Sequence, residues 1–276
     1  MTAIKRKLPE IGRALIRMLP ERLAIALSYW ESCRPPKANI TAIEEAAMAS
    51  ARHFRFGSGA NAWTWGDGPL VILVHGWGGR AAQMAPLAQH LASRGFQVVA
   101  PDITGHGDAR RRHTNWDTFF RDLAALQQHL GREVHAYLGH SVGGQAIMAA
   151  RHISGVRAAR YVCVCSMSHP SQGAEILQRR VAPSAEGMAR YKAFIARTFR
   201  APSWEALTAG WIFNGAGPET LLVYDLGDRF MSHAEGDRIA EAHPQVVLQK
   251  IRAGGHNRIL LDAGFMSLVD GFLSPH

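Results

Sequence analysis

The sequence predicts an α/β fold with a mostly parallel sheet and helices on both faces. Strand-like runs such as LVILV (70–74) and FQVVA (96–100) are apolar throughout, as strands covered on both faces are. Helix-like segments separate these runs, and this alternation is typical of parallel sheets. The 276 residues are 47% hydrophobic and only 19% charged, so the chain can build a large core.

The elements follow in order from local signals. Thr41 and Glu44 form a capping box that predicts a helix over 42–52. HFRF (53–56) and NAWTW (61–65), joined through a glycine-rich turn, predict a hairpin. Thr114 is expected to cap a helix that ends near Gly131. The other predicted strands are EVHAYL (133–138), YVCVCS (161–166), TLLVY (220–224) and QVVLQKI (245–251), and the other helices are 81–95, 141–152 and about 263–273.

This pattern divides the chain into three parts. Residues 1–50 form an N-terminal helical segment, and residues 51–167 and 217–276 form the α/β core. Residues 168–216 interrupt the alternation between two consecutive strands with helix-like patterns. We expect this insertion to be a helical lid over one end of the sheet.

The N-terminal stretch IGRALIRMLPERLAIALSYW (11–30) predicts an amphipathic helix that Pro20 breaks or kinks. Charges interrupt it, so it is a poor secretory signal, and the cytoplasm is the expected compartment. We expect its apolar stripe to pack on the domain; joining two subunits in a homodimer or lying on an anionic membrane are the alternatives. The stripe comprises Ile11, Leu15, Met18, Leu19, Leu23 and Leu27.

The formal net charge of +9 favours acidic partners. Part of the excess lies in residues 1–34, with seven Lys or Arg and three Glu, and part in Arg110–Arg112. No nucleic-acid-binding motif accompanies it, so we expect no nucleic-acid partner. The arginine run is read as a solvated turn, or as a rim in which Arg111 attracts an anionic substrate.

Three cysteines, Cys33, Cys163 and Cys165, are too few and odd in number for a disulfide framework. Cys163 and Cys165 lie two apart in a strand-like run, so we expect reduced core thiols. The sequence offers no further ligands at zinc spacing, and no metal site is predicted.

The stretch GHSVGG (139–144) lies between a predicted strand and a predicted helix. A sharp turn there would lift the Ser141 hydroxyl clear of the sheet, and glycines would give it room. A serine becomes a nucleophile only if a base takes its proton and N–H donors stabilise the oxyanion. The stretch therefore predicts Ser141 as a nucleophile; the alternative is a glycine-rich turn with an idle serine.

The stretch HGWGG (75–79) follows LVILV and must turn sharply. The backbone N–H of Trp77 is the expected oxyanion donor, paired with that of Val142, the residue after the nucleophile. An ordinary strand–helix turn is the alternative. The side chain of His75 is expected to be structural.

An acid and a histidine follow later strands. Asp228 comes after TLLVY and His256 after QVVLQKI, so both fall at the sheet edge that would hold Ser141. Asp228 is expected to be the acid and His256 the base. Asp225 is the rival acid, or else it braces the loop by hydrogen bonds.

These stretches resemble the α/β-hydrolase superfamily, and in detail bacterial serine hydrolases of the esterase and lipase kind. The resemblance rests on residues 75–109, GHSVGG, LLVYDLGDR (221–229) and GGHNRIL (254–260), and spans roughly 50–275. It implies an eight-stranded, mostly parallel sheet and a triad of Ser141, Asp228 and His256. At Asp108-Ala109-Arg110 the chain departs from a small residue followed by serine, which affects the rim and not the triad.

The expected activity is hydrolysis of carboxylic esters or thioesters through an acyl-enzyme on Ser141, with no cofactor. The alternatives are acyl transfer, amide or C–C hydrolysis by the same triad, or a non-catalytic binding module. Aromatic residues of the insertion, such as Trp211 and Phe213, are read as lid core or as contacts to an apolar ester substrate.

Overall fold

The structure is a computed structural model, and it describes residues 16, 18–109 and 112–274. The first half of the predicted N-terminal helix, together with Arg110 and Arg111, lies outside these described residues.

Eight strands form one sheet in the order β1-β2-β4-β3-β5-β6-β7-β8. The β1–β2 and β2–β4 pairs are antiparallel and all other pairs are parallel, so the predicted hairpin and the mostly parallel sheet are confirmed. The strands are β1 Arg52–Phe56, β2 Ala60–Trp65, β3 Leu70–Val74, β4 Gln97–Pro101, β5 Val134–His140, β6 Arg160–Val164, β7 Thr220–Asp225 and β8 Val247–Ile251.

Helices connect the parallel strands. Every residue of β3 and of β7 is buried, so helices and loops cover these strands on both faces, as their unbroken apolar sequences predict. The helices are α1 Glu21–Ser32, α2 Ala42–Met48, α3 Ala81–Ser93, α4 Trp116–Leu130, α5 Val142–Ile153, α6 Ser171–Arg180, α7 Ala185–Thr198, α8 Trp204–Thr208, α9 Ala234–Ala242 and α10 Ala263–Leu273, with 3-10 turns at Trp211–Phe213 and Arg258–Leu261.

The start of α4 differs from the prediction. Asn115, and not Thr114, caps the helix, because the Asn115 side chain accepts the backbone N–H of Thr118 at 2.9 Å. Thr114 is buried instead, and its N–H donates to the carbonyl of Cys33 at 2.8 Å. Thr114 therefore connects the loop before α4 to the end of α1 through this hydrogen bond.

Helices α6, α7 and α8 form the predicted helical insertion between β6 and β7, and α1 packs against α6 and α7. The helix α1 begins directly after Pro20, as the break predicted there requires. Its packed side differs from the prediction: Ala24 and Ser28 are buried, whereas Met18, Leu23 and Leu27 of the expected stripe are exposed. Among the described helices, none is long and apolar enough to cross a membrane.

Candidate active site

Ser141 lies at a sharp turn between β5 and α5, with φ 54° and ψ −121°. Few residues other than glycine adopt a positive φ, so this backbone is strained. The turn needs glycine nearby: a Cβ on Gly143 would lie 2.3 Å from the carbonyl oxygen of Val74, and one on Gly139 would lie 2.4 Å from the carbonyl carbon of Gly143. The strain and the close packing are those of a turn that presents the serine side chain above the sheet.

Asp228 and His256 are in direct contact. His256 Nδ1 donates to Asp228 Oδ2 at 2.6 Å, and the carboxylate is fully buried. Burial works to raise the pKa of Asp228, but hydrogen bonds from His256 and from the N–H groups of Met231 and Phe230 outweigh it and hold this pKa below its usual value. An ionised Asp228 fixes the proton on Nδ1, which leaves Nε2 able to accept another.

Asp225, the rival acid, is occupied elsewhere. Its carboxylate accepts the backbone N–H groups of Gly227 at 2.6 Å, Ala253 at 3.1 Å and Gly255 at 2.5 Å. These bonds join the loop after β7 to the loop that carries His256. Asp225 therefore braces the two loops, which is the second of the two roles considered for it.

His140, the residue before Ser141, contacts the histidine loop, which sequence reasoning did not foresee. Its Nε2 donates to the backbone carbonyl of His256 at 2.8 Å, and the two imidazole rings lie 4.7 Å apart. Burial, reinforced by the neighbouring His256, lowers the pKa of His140 to about 3.

Within the described residues no hydrogen bond joins the Ser141 hydroxyl to His256, so that link belongs to the proposal below.

The HGWGG loop lies directly against the turn at Ser141. A Cβ on Gly76 would come within 3.1 Å of Ser141 Cβ. Val142 is the first residue of α5, and first-turn N–H groups have no partner inside their helix. The oxyanion donors predicted at Trp77, the residue after Gly76, and at Val142 stay predictions.

His75 has the structural role predicted for it. Its ring is buried, Nδ1 donates to the carbonyl of Gly76 at 2.8 Å, and Nε2 accepts the N–H of Ile103 at 3.1 Å. Burial lowers the pKa of His75, so the ring stays neutral. It thereby holds the HGWGG loop to the loop after β4.

Cys163 and Cys165 are buried and free, as predicted, but β6 ends at Val164, so Cys165 lies just past the strand. Donor atoms of Cys165, Asp228 and His256 all lie within 4.8 Å of one another, the one group of metal-ligating type found among the described residues. Burial raises the pKa of the Cys165 thiol far above its usual value. A thiol kept protonated beside an existing carboxylate–imidazole bond is a poor metal ligand, and we assign no metal to this group.

No contact with Ser141 is found for the predicted substrate-binding residues that the structure describes, Trp211 and Phe213. Phe213 is fully buried, and the indole N–H of Trp211 donates to the carbonyl of Phe199 at 3.2 Å. These contacts favour the alternative in which both belong to the core of the insertion. Arg111 lies outside the described residues, while Arg112 beside it is exposed.

A strained serine above the sheet and an Asp–His pair at the same edge define an α/β-hydrolase type of site. The model of the alpha/beta hydrolase fold family matches residues 69–213, just over half of the chain. The protein therefore belongs to the alpha/beta hydrolase fold family.

Curated relatives carry different names. The chain is 35% identical over 104 residues to a non-heme haloperoxidase from Rhodococcus erythropolis (36% of this chain, 38% of the relative). It is 36% identical over 81 residues to a magnesium-chelatase 30 kDa subunit from Rhodobacter capsulatus (28% of each). It is 32% identical over 84 residues to a bifunctional esterase/perhydrolase from Acinetobacter calcoaceticus (29% and 30%). The chain thus matches only about a third of each relative's length.

A similar solved structure is the thioesterase domain from the curacin biosynthetic pathway, with a TM-score of 0.58 and 18% identity. The match covers 81% of this chain and 98% of that domain. At this identity the likeness shows the fold alone.

Proposed function

We propose that the protein is a serine hydrolase that cleaves carboxylic esters or thioesters through an acyl-enzyme on Ser141. The observation that carries the proposal is the strained backbone of Ser141, at the sheet edge where Asp228 holds His256 at 2.6 Å. Strain of this kind persists at functional sites because the surrounding structure enforces it. The relative named as an esterase/perhydrolase supports ester chemistry.

In the proposed mechanism, His256 Nε2 takes the proton of the Ser141 hydroxyl as its oxygen attacks the acyl carbon. The developing oxyanion accepts hydrogen bonds from the N–H groups of Trp77 and Val142. The protonated His256 then gives its proton to the leaving alcohol or thiol. Water, activated by the same histidine, releases the acid and restores Ser141.

The test is hydrolysis of p-nitrophenyl esters and acyl thioesters of increasing chain length by the wild type and by Ser141→Ala. We expect turnover that vanishes in the variant, and labelling of the wild type by a fluorophosphonate at Ser141. No turnover and no labelling would contradict the proposal and favour a binding module.

Labelling without hydrolysis of any ester or thioester would point to the alternatives with the same triad. Acyl transfer is recognised by products formed with an added alcohol, amine or thiol, and amide or C–C hydrolysis by the matching substrates. A lid role for residues 168–216, a cytoplasmic location and a contact between Arg111 and an anionic ester also remain proposals.

A further inference from the structure

The outward side of α1 has an unusual distribution of charge and apolar groups. Leu23, Leu27 and Trp30 are 46%, 37% and 50% exposed, and with 3.6 residues per turn they lie on one side of the helix. Met18, just before the helix, is exposed as well. Contiguous apolar exposure of this kind marks an interaction surface.

Both acidic residues of α1 point away from that side. Glu21 accepts the N–H of Ser184 at 2.6 Å and pairs with Arg190 at 3.0 Å, and Glu31 lies 3.6 Å from Arg180. These partners belong to the helical insertion, so the ion pairs hold α1 on α6 and α7. Tyr29 of α1 packs edge-on against Tyr191 and Phe194 of the insertion, so its ring also faces the insertion.

Arginines surround the apolar residues. Arg22 is exposed on the outward side of α1, and the guanidinium of Arg34 lies 5.1 Å above the Trp30 ring. The ring of His113 lies 4.5 Å from that of Trp30, and the exposed Arg112 precedes His113 in the chain. Trp30 therefore contacts Arg34 on its own segment and His113, the neighbour of Arg112.

We propose that this surface, formed by Leu23, Leu27, Trp30, Arg22, Arg34 and Arg112, docks on an anionic lipid bilayer. Leucine and tryptophan side chains insert at the boundary of headgroups and acyl chains, while the arginines contact the lipid phosphates. The charge distribution selects this occupant, because a helix that turns both its acids inward leaves an outward side of apolar and cationic groups. The proposal goes beyond the hydrolase function and does not depend on it.

The packed side of α1 determines how this proposal is tested. Deleting the N-terminal segment would remove the ion pairs to the insertion and the bond from Thr114 N–H to the Cys33 carbonyl, so point substitutions in the full chain are needed. Leu23→Ser/Leu27→Ser changes the outward side alone. Ile40→Ser/Ile43→Ser is the matched control, since these residues are 44% and 60% exposed before and within α2.

The experiment is sedimentation of the protein with vesicles of phosphatidylcholine alone or mixed equally with phosphatidylglycerol. We expect the wild type to sediment only with the mixed vesicles and to be released by salt. Leu23→Ser/Leu27→Ser should weaken binding by about tenfold or more, and Arg22→Gln/Arg112→Gln by about fivefold for each arginine. The isoleucine control should bind as the wild type does.

Three results would overturn the proposal. They are a wild type that ignores the mixed vesicles, a leucine variant that binds them as well as the wild type, or a dimeric wild type that the leucine substitutions convert to monomers. The last result would assign the surface to a second copy of the chain. Fluorophosphonate labelling of each variant at Ser141 reports whether the hydrolase site is intact, so failure of the lipid surface and failure of the site are distinguished.

Discussion

His140 joins β5 to the backbone of His256, the proposed catalytic base, and this contact predicts a positioning role for His140. We predict that His140→Ala lowers kcat about tenfold with a smaller change in KM, because the carbonyl of His256 loses its donor and the loop shifts. His140→Gln, whose amide N–H can reach the same carbonyl, should recover most of the loss. Steady-state kinetics on the best ester of the panel measure both.

His135 provides the matched control for this prediction. It lies on the same strand, and its Nε2 bonds the backbone carbonyl of Leu273 at 2.8 Å, remote from Ser141. His135→Ala should lower the melting temperature and leave kcat unchanged. Equal losses of kcat in the two alanine variants would show that His140 is merely structural.

Substitutions of Asp225 and Asp228 should affect different measurements, one the melting temperature and the other kcat. Asp228→Asn is expected to lower kcat about a thousandfold or more, because an amide cannot hold the Nδ1 proton of His256. Asp225→Asn should mainly lower the melting temperature, because the carboxylate accepts three loop N–H groups. Kinetics and thermal unfolding of both variants test this; an Asp225 variant with the larger kcat loss would reverse the assignment.

For individual residues, the sequence predicts which of them come together when they follow strand ends, because the carboxyl ends of parallel strands meet at one edge of the sheet. Asp228 and His256 are examples. His140 and Cys165 were not predicted as neighbours of the pair. Their contacts join segments about 116 and 60 residues apart, and nothing local to either residue encodes them.

The strand–helix turn at Ser141 leaves no room for a methyl group at Gly143 or Gly144, but the neighbours that fill the space differ. A Cβ on Gly144 would lie 1.9 Å from the Ser166 hydroxyl, which is a side chain, whereas one on Gly143 would meet backbone carbonyls. We predict that Gly144→Ala costs about 1–3 kcal/mol of unfolding free energy and that Ser166→Gly recovers part of it. Urea unfolding of the single and double variants measures the coupling.

Gly143→Ala is the counterpart that no neighbouring substitution can relieve. The methyl group would lie 2.3 Å from the carbonyl of Val74, so the turn itself must move. We expect Gly143→Ala to lose fluorophosphonate labelling of Ser141 in a protein that keeps its helical content. Normal labelling would show that the turn adapts and that its geometry is not tightly set.

The bounds of an element were easier to predict than the side on which it packs. The last helix, α10, has the predicted bounds 263–273, whereas the outer side of α1 was mistaken for its packed side. Hydropathy favours the leucine side of α1, but Ala24 and Ser28 allow close approach to the insertion, and Glu21 and Glu31 find arginines there. The side on which α1 packs is therefore determined by the helical insertion it contacts, and the local sequence of α1 does not reveal that contact.

For the whole molecule, the parallel sheet follows from alternating elements, but the strand order does not. The strand β4 lies between β2 and β3, so the chain passes outward before it returns to add β5 on the other side of β3. Local signals predicted a strand at each of the eight places, but none of them indicated which strands are neighbours in the sheet. The local hydropathy pattern predicts the strands and helices, whereas the order of the strands depends on packing between distant segments of the chain.

Three buried histidines, His75, His106 and His140, link the stability of the whole fold to pH. Burial lowers the pKa of each, to about 2 for His106 and about 3 for His140. Below the ordinary histidine pKa of 6.5, the unfolded chain binds protons that the folded protein excludes, so stability falls as the pH drops. The lowered pKa of Asp228 acts in the same direction below its ordinary value of 3.8.

We therefore predict that the free energy of unfolding falls from pH 7 to pH 5, and that the slope falls in His106→Phe, by about 0.7 kcal/mol per pH unit at pH 6.5 and by about 1.4 kcal/mol per pH unit near pH 5. The ring of His106 lies among those of His75, Trp77 and Phe119, so phenylalanine fits the surroundings. Urea unfolding at several pH values measures the slope, with the exposed His53→Gln as control. A His106→Phe slope equal to that of the wild type would mean that His106 takes up its proton in the folded state, and that this part of the core opens to water in acid.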